Sequence, residues 1–254
     1  MIIMLKRVAV VGGAGELVDA YSNAAQSEDV EVLGIEPDGA VPVGTVSIVS
    51  TGADPGALVE AAVRVGQWQE EMLQLLAQSL DCREGLAANS SRRVQDIAAR
   101  FGQALGCTRD QQLTLERGAL VRDIGKIKIP NEVLLKEGVL TYDEWVMLQQ
   151  HPVAGADLLQ PGSLQDTTDI VRYHHECFDG DGYPEGLAGD RIPLLARIIK
   201  IVDVYCAMTS PRHYRNGLSS HDEALDHLTS ERGKHYDPEL LDVFIENNVA
   251  DEWT

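Results

Sequence analysis

Two adjacent histidines, His174 and His175, are followed by Glu176 and the run Cys-Phe-Asp-Gly-Asp-Gly-Tyr-Pro, which ends at Pro184. Neighbouring imidazoles can offer two neutral nitrogens to one metal ion. Gly180 and Gly182 permit tight backbone turns, and Pro184 fixes the direction in which the chain leaves. A histidine pair alone is weak evidence, because solvated pairs are common on surfaces. The surrounding residues add weight. Asp203 lies within 194–206, a stretch apolar enough for a buried helix, where a carboxylate is costly unless paired or bound to metal. His151 stands at the end of the helical stretch 141–150, and Asp123 sits inside the apolar run 120–130. Asp123, His151, His174, His175 and Asp203 are therefore either a donor set for a divalent ion or a hydrogen-bonded polar core.

In their order along the chain these motifs resemble the HD-GYP family of cyclic di-GMP phosphodiesterases. The resemblance covers residues 80–247. It rests on Asp-Ile-Gly-Lys-Ile-x-Ile-Pro (123–130), His-Pro-x-x-Gly (151–155), His-His-Glu (174–176) and Asp-Gly-x-Gly-Tyr-Pro-x-Gly-Leu (179–187). It continues through Ile-Pro-Leu-x-Ala-Arg-Ile (192–198), Met-Thr-Ser-x-Arg-x-Tyr-Arg (208–215) and Tyr-Asp-Pro (236–238). Two positions depart from the family pattern. Arg122 stands where the His of the His-Asp pair belongs, and Ser90, in Ser-Ser-Arg-Arg-Val, stands where an earlier histidine belongs. No histidine precedes residue 151, so none in the first half can replace them.

The resemblance implies two ions, which together activate water and clamp phosphate oxygens. One implied ligand set survives as Asp123, His151, His174 and His175; the other keeps only Asp123 and Asp203. Iron or manganese is the implied metal, at one well-supplied site and one depleted site. A guanidinium cannot ligate a cation. Arg122 therefore either points inward, where it pairs with Asp123 or Asp203 and stands in for the lost ion, or carries its charge on a helix surface. Tyr183 is implied to meet a base or phosphate of the dinucleotide, and Arg212 and Arg215 to hold phosphate, which suits the planar fork of arginine. Lys126 is implied to approach the ligand or the shared Asp123, and the two are assigned catalytic roles. Asp179 and Asp181 are read as turn residues that bond nearby backbone N–H groups. His213, His221, His227 and His235 are read as surface residues.

With 254 residues, the chain has room for one large domain and a small one. A formal net charge of −19 argues against nucleic acid polymers, but not against a cyclic dinucleotide held by metal and local arginines. Cys82, Cys107, Cys177 and Cys206 show no CxxC spacing, which points to a reducing compartment rather than a disulfide framework. No apolar run reaches membrane-spanning length, and Lys6 and Arg7 interrupt the apolar start in a way unlike a signal peptide. A soluble cytoplasmic protein is expected.

Residues 1–56 read as a small α/β module, with strands at 7–11, 30–35 and 45–49 and a helix around 15–27. Gly12-Gly13-Ala14-Gly15 fits a tight turn better than a full phosphate-binding fingerprint. Placement suggests a truncated, receiver-like relic used for contacts with a signalling partner. Residues 57–82 form a connecting amphipathic helix, with Leu58, Val65 and Met72, and Ala61, Trp68 and Leu75, in heptad register. That helix either packs on its own domain or pairs in a homodimer. Residues 83–254 form the helical HD-GYP-like domain, so the fold class is mainly α. The expected function is binding of cyclic di-GMP with little or no hydrolysis. The alternatives are an active metal-dependent phosphodiesterase giving linear pGpG or GMP, and an interaction scaffold without ligand.

Overall fold

The computed structural model describes residues 6–11, 30–35, 45–48, 55–160, 162, 164–210 and 219–250. The Gly12–Gly15 turn, the helix around 15–27, Arg212, His213 and Arg215 lie outside them. The chain divides into two compact units, residues 1–73 and 74–254.

In the first unit, β1 (Lys6–Val11) is the central strand of a parallel sheet of order β2-β1-β3, flanked by β2 (Val30–Ile35) and β3 (Thr45–Ile48). The register sets Lys6 opposite Val30 and Arg7 opposite Thr45. Runs such as Arg7-Val-Ala-Val-Val favour strand because β-branched side chains suit a pleated surface. Helix α1 (Pro55–Arg83) runs from this unit into the second. On it Trp68, Met72 and Leu75 are exposed.

The described elements of the second unit are helical. They are α2 (Ser90–Ala104), α3 (Arg109–Val121), a 3-10 turn (Ile124–Lys128), α4 (Asn131–Leu134), α5 (Tyr142–Leu148), α6 (His151–Leu158), α7 (Thr168–Tyr173), α8 (Leu194–Thr209), α9 (His221–Ser230) and α10 (Pro238–Glu246). Capping boxes start three of the helices: Thr108 with Gln111, Thr141 with Glu144 and Ser220 with Glu223. Each pair satisfies two of the N–H groups that a helix leaves unpaired at its start. Helix α2 buries Val94, Ile97, Ala98 and Phe101, the stripe that a period of 3.6 dictates. It packs on α3 and α8.

Helix α8 is the axis of the core. Ile198, Ile199, Ile201, Val202 and Tyr205 are fully buried, and Phe101 and Phe244 meet edge to face at 5.1 Å. This is the buried helix expected over 194–206, and it carries Asp203 through the core. His221, expected at the surface, is instead half-buried, with Nδ1 2.8 Å from the Tyr205 hydroxyl. Among the described residues no helix is long and apolar enough to cross a membrane.

Candidate metal centre

Four chain segments bring the polar residues together. Asp123 follows the C-terminal end of α3 and opens the 3-10 turn, and His151 begins α6. His174 and His175 follow α7, and Asp203 lies in the middle of α8. Gly125 makes the approach of turn and helix feasible. A Cβ there would collide with the carbonyl of His151 and the backbone of Gly155, so the turn can touch α6 only without a side chain. That contact explains why Asp-Ile-Gly-Lys and His-Pro-x-x-Gly occur together in this chain.

Asp123, His151, His174 and His175 place one donor atom each within 4.8 Å of one another. The Nδ1 atoms of His151 and His174 donate to the carbonyls of Leu148 (2.8 Å) and Val171 (2.9 Å). This tautomer leaves a lone pair on each Nε2. Both Nε2 atoms are buried without a hydrogen-bond partner, and they lie 3.4 and 3.9 Å from Asp123 Oδ1. Burial holds His174 down to about 4. Burial, followed by the neighbouring His174 and His151, keeps His175 well below the ordinary histidine value. Neutral imidazoles with orphaned nitrogens facing a carboxylate are what a divalent ion requires, so the residues fit a metal.

Arg122 points inward and is buried. Its Nε donates to Asp203 Oδ1 at 2.7 Å and its Nη1 to the Ala119 carbonyl at 2.9 Å, while Nη2 lies 3.3 Å from Asp123 Oδ2. The guanidinium thus bridges the two carboxylates that the depleted ligand set retains. Ser90 and Arg122, the two positions where the sequence resemblance leads one to expect histidines, line one cavity of about 20 Å³ with Asp203 and Cys206. That is room for about one water molecule. Asp203 is not among the four converging ligands; its carboxylate is engaged by Arg122. Burial pushes the Asp203 carboxyl up, but the Arg122 charge, joined by His174 and Lys126, holds it below the usual range. Asp123 is likewise pushed up by burial and held well below its usual range by Lys126 and Arg122.

Lys126 lies 3.1 Å from Asp123 Oδ1 and 2.9 Å from Glu84 Oε2, so two fixed cations flank the shared aspartate. Glu84 carries no signal in the sequence, because nothing in its spacing connects it with Lys126. Tyr183 stacks on His175, with centroids 4.8 Å apart and planes 18° apart, and its hydroxyl is held protonated by burial and by the charges of Asp123 and Asp203. The loop that carries it is pinned by Glu176, a buried carboxylate that accepts the N–H groups of Glu185 (2.8 Å) and Leu187 (3.0 Å). Glu176 sits beside the histidine pair in the sequence, and its adjacency is the signal that could have identified it. Gly182 leaves space for this fold-back, since a Cβ there would strike the backbone of Glu176 and Cys177. Asp179 accepts the N–H of Asp181 at 3.1 Å, the turn role expected of it.

A model of the HD domain family matches residues 74–240. Over 191 residues the chain is 36% identical to the cyclic di-GMP phosphodiesterase response regulator RpfG of Xanthomonas campestris pv. campestris, covering 74% of this chain and 50% of that protein. It is 28% identical over 192 residues to 3'3'-cGAMP-specific phosphodiesterase 2 of Vibrio cholerae serotype O1, covering 74% of this chain and 37% of that protein. Among solved structures, the cyclic GMP-AMP specific phosphodiesterase V-cGAP3 of V. cholerae shares the fold at a TM-score of 0.55 and 20% identity, covering 72% of this chain and 49% of that one. The chain spans about half, or less, of the length of these relatives.

Proposed function

We propose, from the premise that the chain belongs to the HD domain family, that it binds cyclic di-GMP at a one-ion centre with little or no hydrolysis. The observation that carries this reading is the Arg122 guanidinium held between Asp203 and Asp123. Hydrolysis of a phosphodiester by a metal pair uses two ions to stabilise both the attacking and the leaving oxygen. On this reading the Arg122 guanidinium stands in for the second ion. It supplies charge but no coordination site.

Asp123, His151, His174 and His175 would hold the single ion, iron or manganese. When bound, that ion supplies Lewis-acid charge for a phosphoryl oxygen. Lys126 adds a second positive group beside Asp123, and Tyr183 borders the ligand. Arg212 and Arg215 are assigned to phosphate by motif position alone. Relatives named for cyclic di-GMP and for 3'3'-cGAMP support a cyclic dinucleotide as the ligand class. Residues 1–56 are read as a receiver-like contact module, and 57–82 as its connecting helix.

A second reading, a slow but genuine phosphodiesterase, is favoured by the two orphaned Nε2 atoms, which keep one ion site fully supplied. The test is to reconstitute the protein anaerobically with Fe²⁺ or Mn²⁺, then measure cyclic di-GMP binding by calorimetry and product formation by chromatography. Binding without linear product supports the proposal. Product that disappears in His175→Ala replaces it with the second reading. Absence of binding with metal confirmed would sink both.

A further inference from the structure

We infer that Trp145 supplies a second aromatic surface for the purine base of the bound nucleotide, beside the Tyr183 ring already assigned to the ligand; this rests on the ligand reading above. Helix α5 contains no buried residue, yet Trp145, Val146 and Met147 present large apolar side chains that are 44%, 37% and 42% exposed. Apolar surface concentrated beside a polar site is a mark of a binding surface. Of the three, Trp145 is the one in ring contact with a residue at the centre. Its centroid lies 6.3 Å from that of Tyr183, with the ring planes 76° apart.

Tyr183 already has one face against His175. The Trp145 ring stands nearly perpendicular to Tyr183, so the two rings make an aromatic corner. A flat heterocycle placed in such a corner stacks on one ring and meets the other edge to face, the two arrangements that aromatic quadrupoles favour. Position matters as much as shape. His175, Tyr183 and Trp145 form a row of rings that starts at the candidate ion position and ends at half-exposed Trp145. A nucleotide has the same order of parts: a phosphate that seeks cations, a sugar, and then an aromatic base. With phosphate near Asp123 and Lys126, the base falls towards the aromatic corner. Helix α5 is also tied to the centre at its other end, because the Leu148 carbonyl orients His151.

The test uses the full chain loaded with Mn²⁺, as wild type, Trp145→Phe and Trp145→Ala. Each is titrated calorimetrically with cyclic di-GMP and separately with 5′-GMP, and metal content and thermal unfolding are measured on every sample. Loss of one stacking platform should weaken cyclic di-GMP binding in Trp145→Ala by about 5- to 160-fold. Trp145→Phe should retain most of the affinity, and metal content and unfolding should not change. Equal affinity in wild type and Trp145→Ala overturns the inference and leaves ligand binding standing. A fall in metal content or melting temperature in Trp145→Ala would make the residue structural and also overturn it. Wild type that ignores cyclic di-GMP but binds 5′-GMP through Trp145 would sink the dinucleotide reading and keep the base seat. Wild type that binds neither sinks both.

Discussion

Replacing Arg122 by methionine is the most direct perturbation of this centre. The side chains of Arg122 and Asp203 are only 6% and 20% exposed, and their contact is 2.7 Å long. Removing the guanidinium leaves Asp203 desolvated without its hydrogen-bonded cation. Asp123 suffers less, because its distance from Arg122 is 3.3 Å and Lys126 still lies 3.1 Å away. Breaking a buried pair from one side costs about 3–5 kcal/mol, and most of that cost should fall on Asp203. At about 2–4 °C per kcal/mol, the metal-free protein should melt roughly 6–20 °C lower. The double variant Arg122→Met/Asp203→Leu removes the orphaned charge, and apolar replacement of a whole buried pair is often neutral. It should therefore recover most of the loss. Added Mn²⁺ should stabilise every form that keeps Asp123, His151, His174 and His175, but it should stabilise the single variant more than the double variant, because only the single variant has a freed Asp203 carboxylate to receive a cation. The assay is urea denaturation at pH 7 in EDTA, followed by circular dichroism, and repeated with metal. A single variant within about 1 kcal/mol of wild type, the scale of an exposed pair, would refute the argument. So would a double variant no better than the single.

Acid should act on the metal-free protein well above the carboxylate range. Burial keeps His174 at about 4 in the fold against an ordinary 6.5, so the unfolded chain takes the proton first. Stability should then fall as pH drops from 6.5 towards 4, by about 1.4 kcal/mol per unit for one such group; flat urea midpoints over that window would contradict this. Asp123 and Asp203, both held below their ordinary 3.8, contribute loss only at lower pH. Glu176→Ala should leave the Glu185 and Leu187 N–H groups unpaired at a cost of about 1–3 kcal/mol. Hydrogen exchange across 179–187 should quicken, and unchanged exchange would show that the loop is held otherwise. Gly125→Ala forces the turn away from α6 and should cost at least about 1–3 kcal/mol, with reduced metal content by elemental analysis. Full metal content in that variant would count against the close approach as the device that builds the site.

The order of motifs that carries the family resemblance makes the convergence of the imidazoles and Asp123 legible. The apolar run that forms α8 and the β-branched runs that form β1, β2 and β3 are legible through periodicity and composition. Partners distant in sequence are not. Whether Arg122 turns inward depends on Asp203, 81 positions away, and nothing local to residue 122 reveals it. The same holds for Glu84 with Lys126, 42 positions apart. The motif implies Asp203 as a metal ligand; in the fold its carboxylate accepts a hydrogen bond from Arg122, a contact that the substitution at 122 permits but does not dictate. Tyr183 is expected to offer a face for stacking, and His175 covers one of its faces. Trp145 is silent in the sequence, since a tryptophan in a short exposed helix has no spacing signature.

A charge built into the chain behaves unlike one borrowed from solution. The Arg122 guanidinium cannot be stripped by a chelator, does not change valence in air, and does not rise or fall with the supply of metal. With Lys126 beside Asp123 as well, part of the positive field at this centre is therefore hard-wired, set at translation and indifferent to oxygen and to iron. An ion held by the histidines and Asp123 would respond to them.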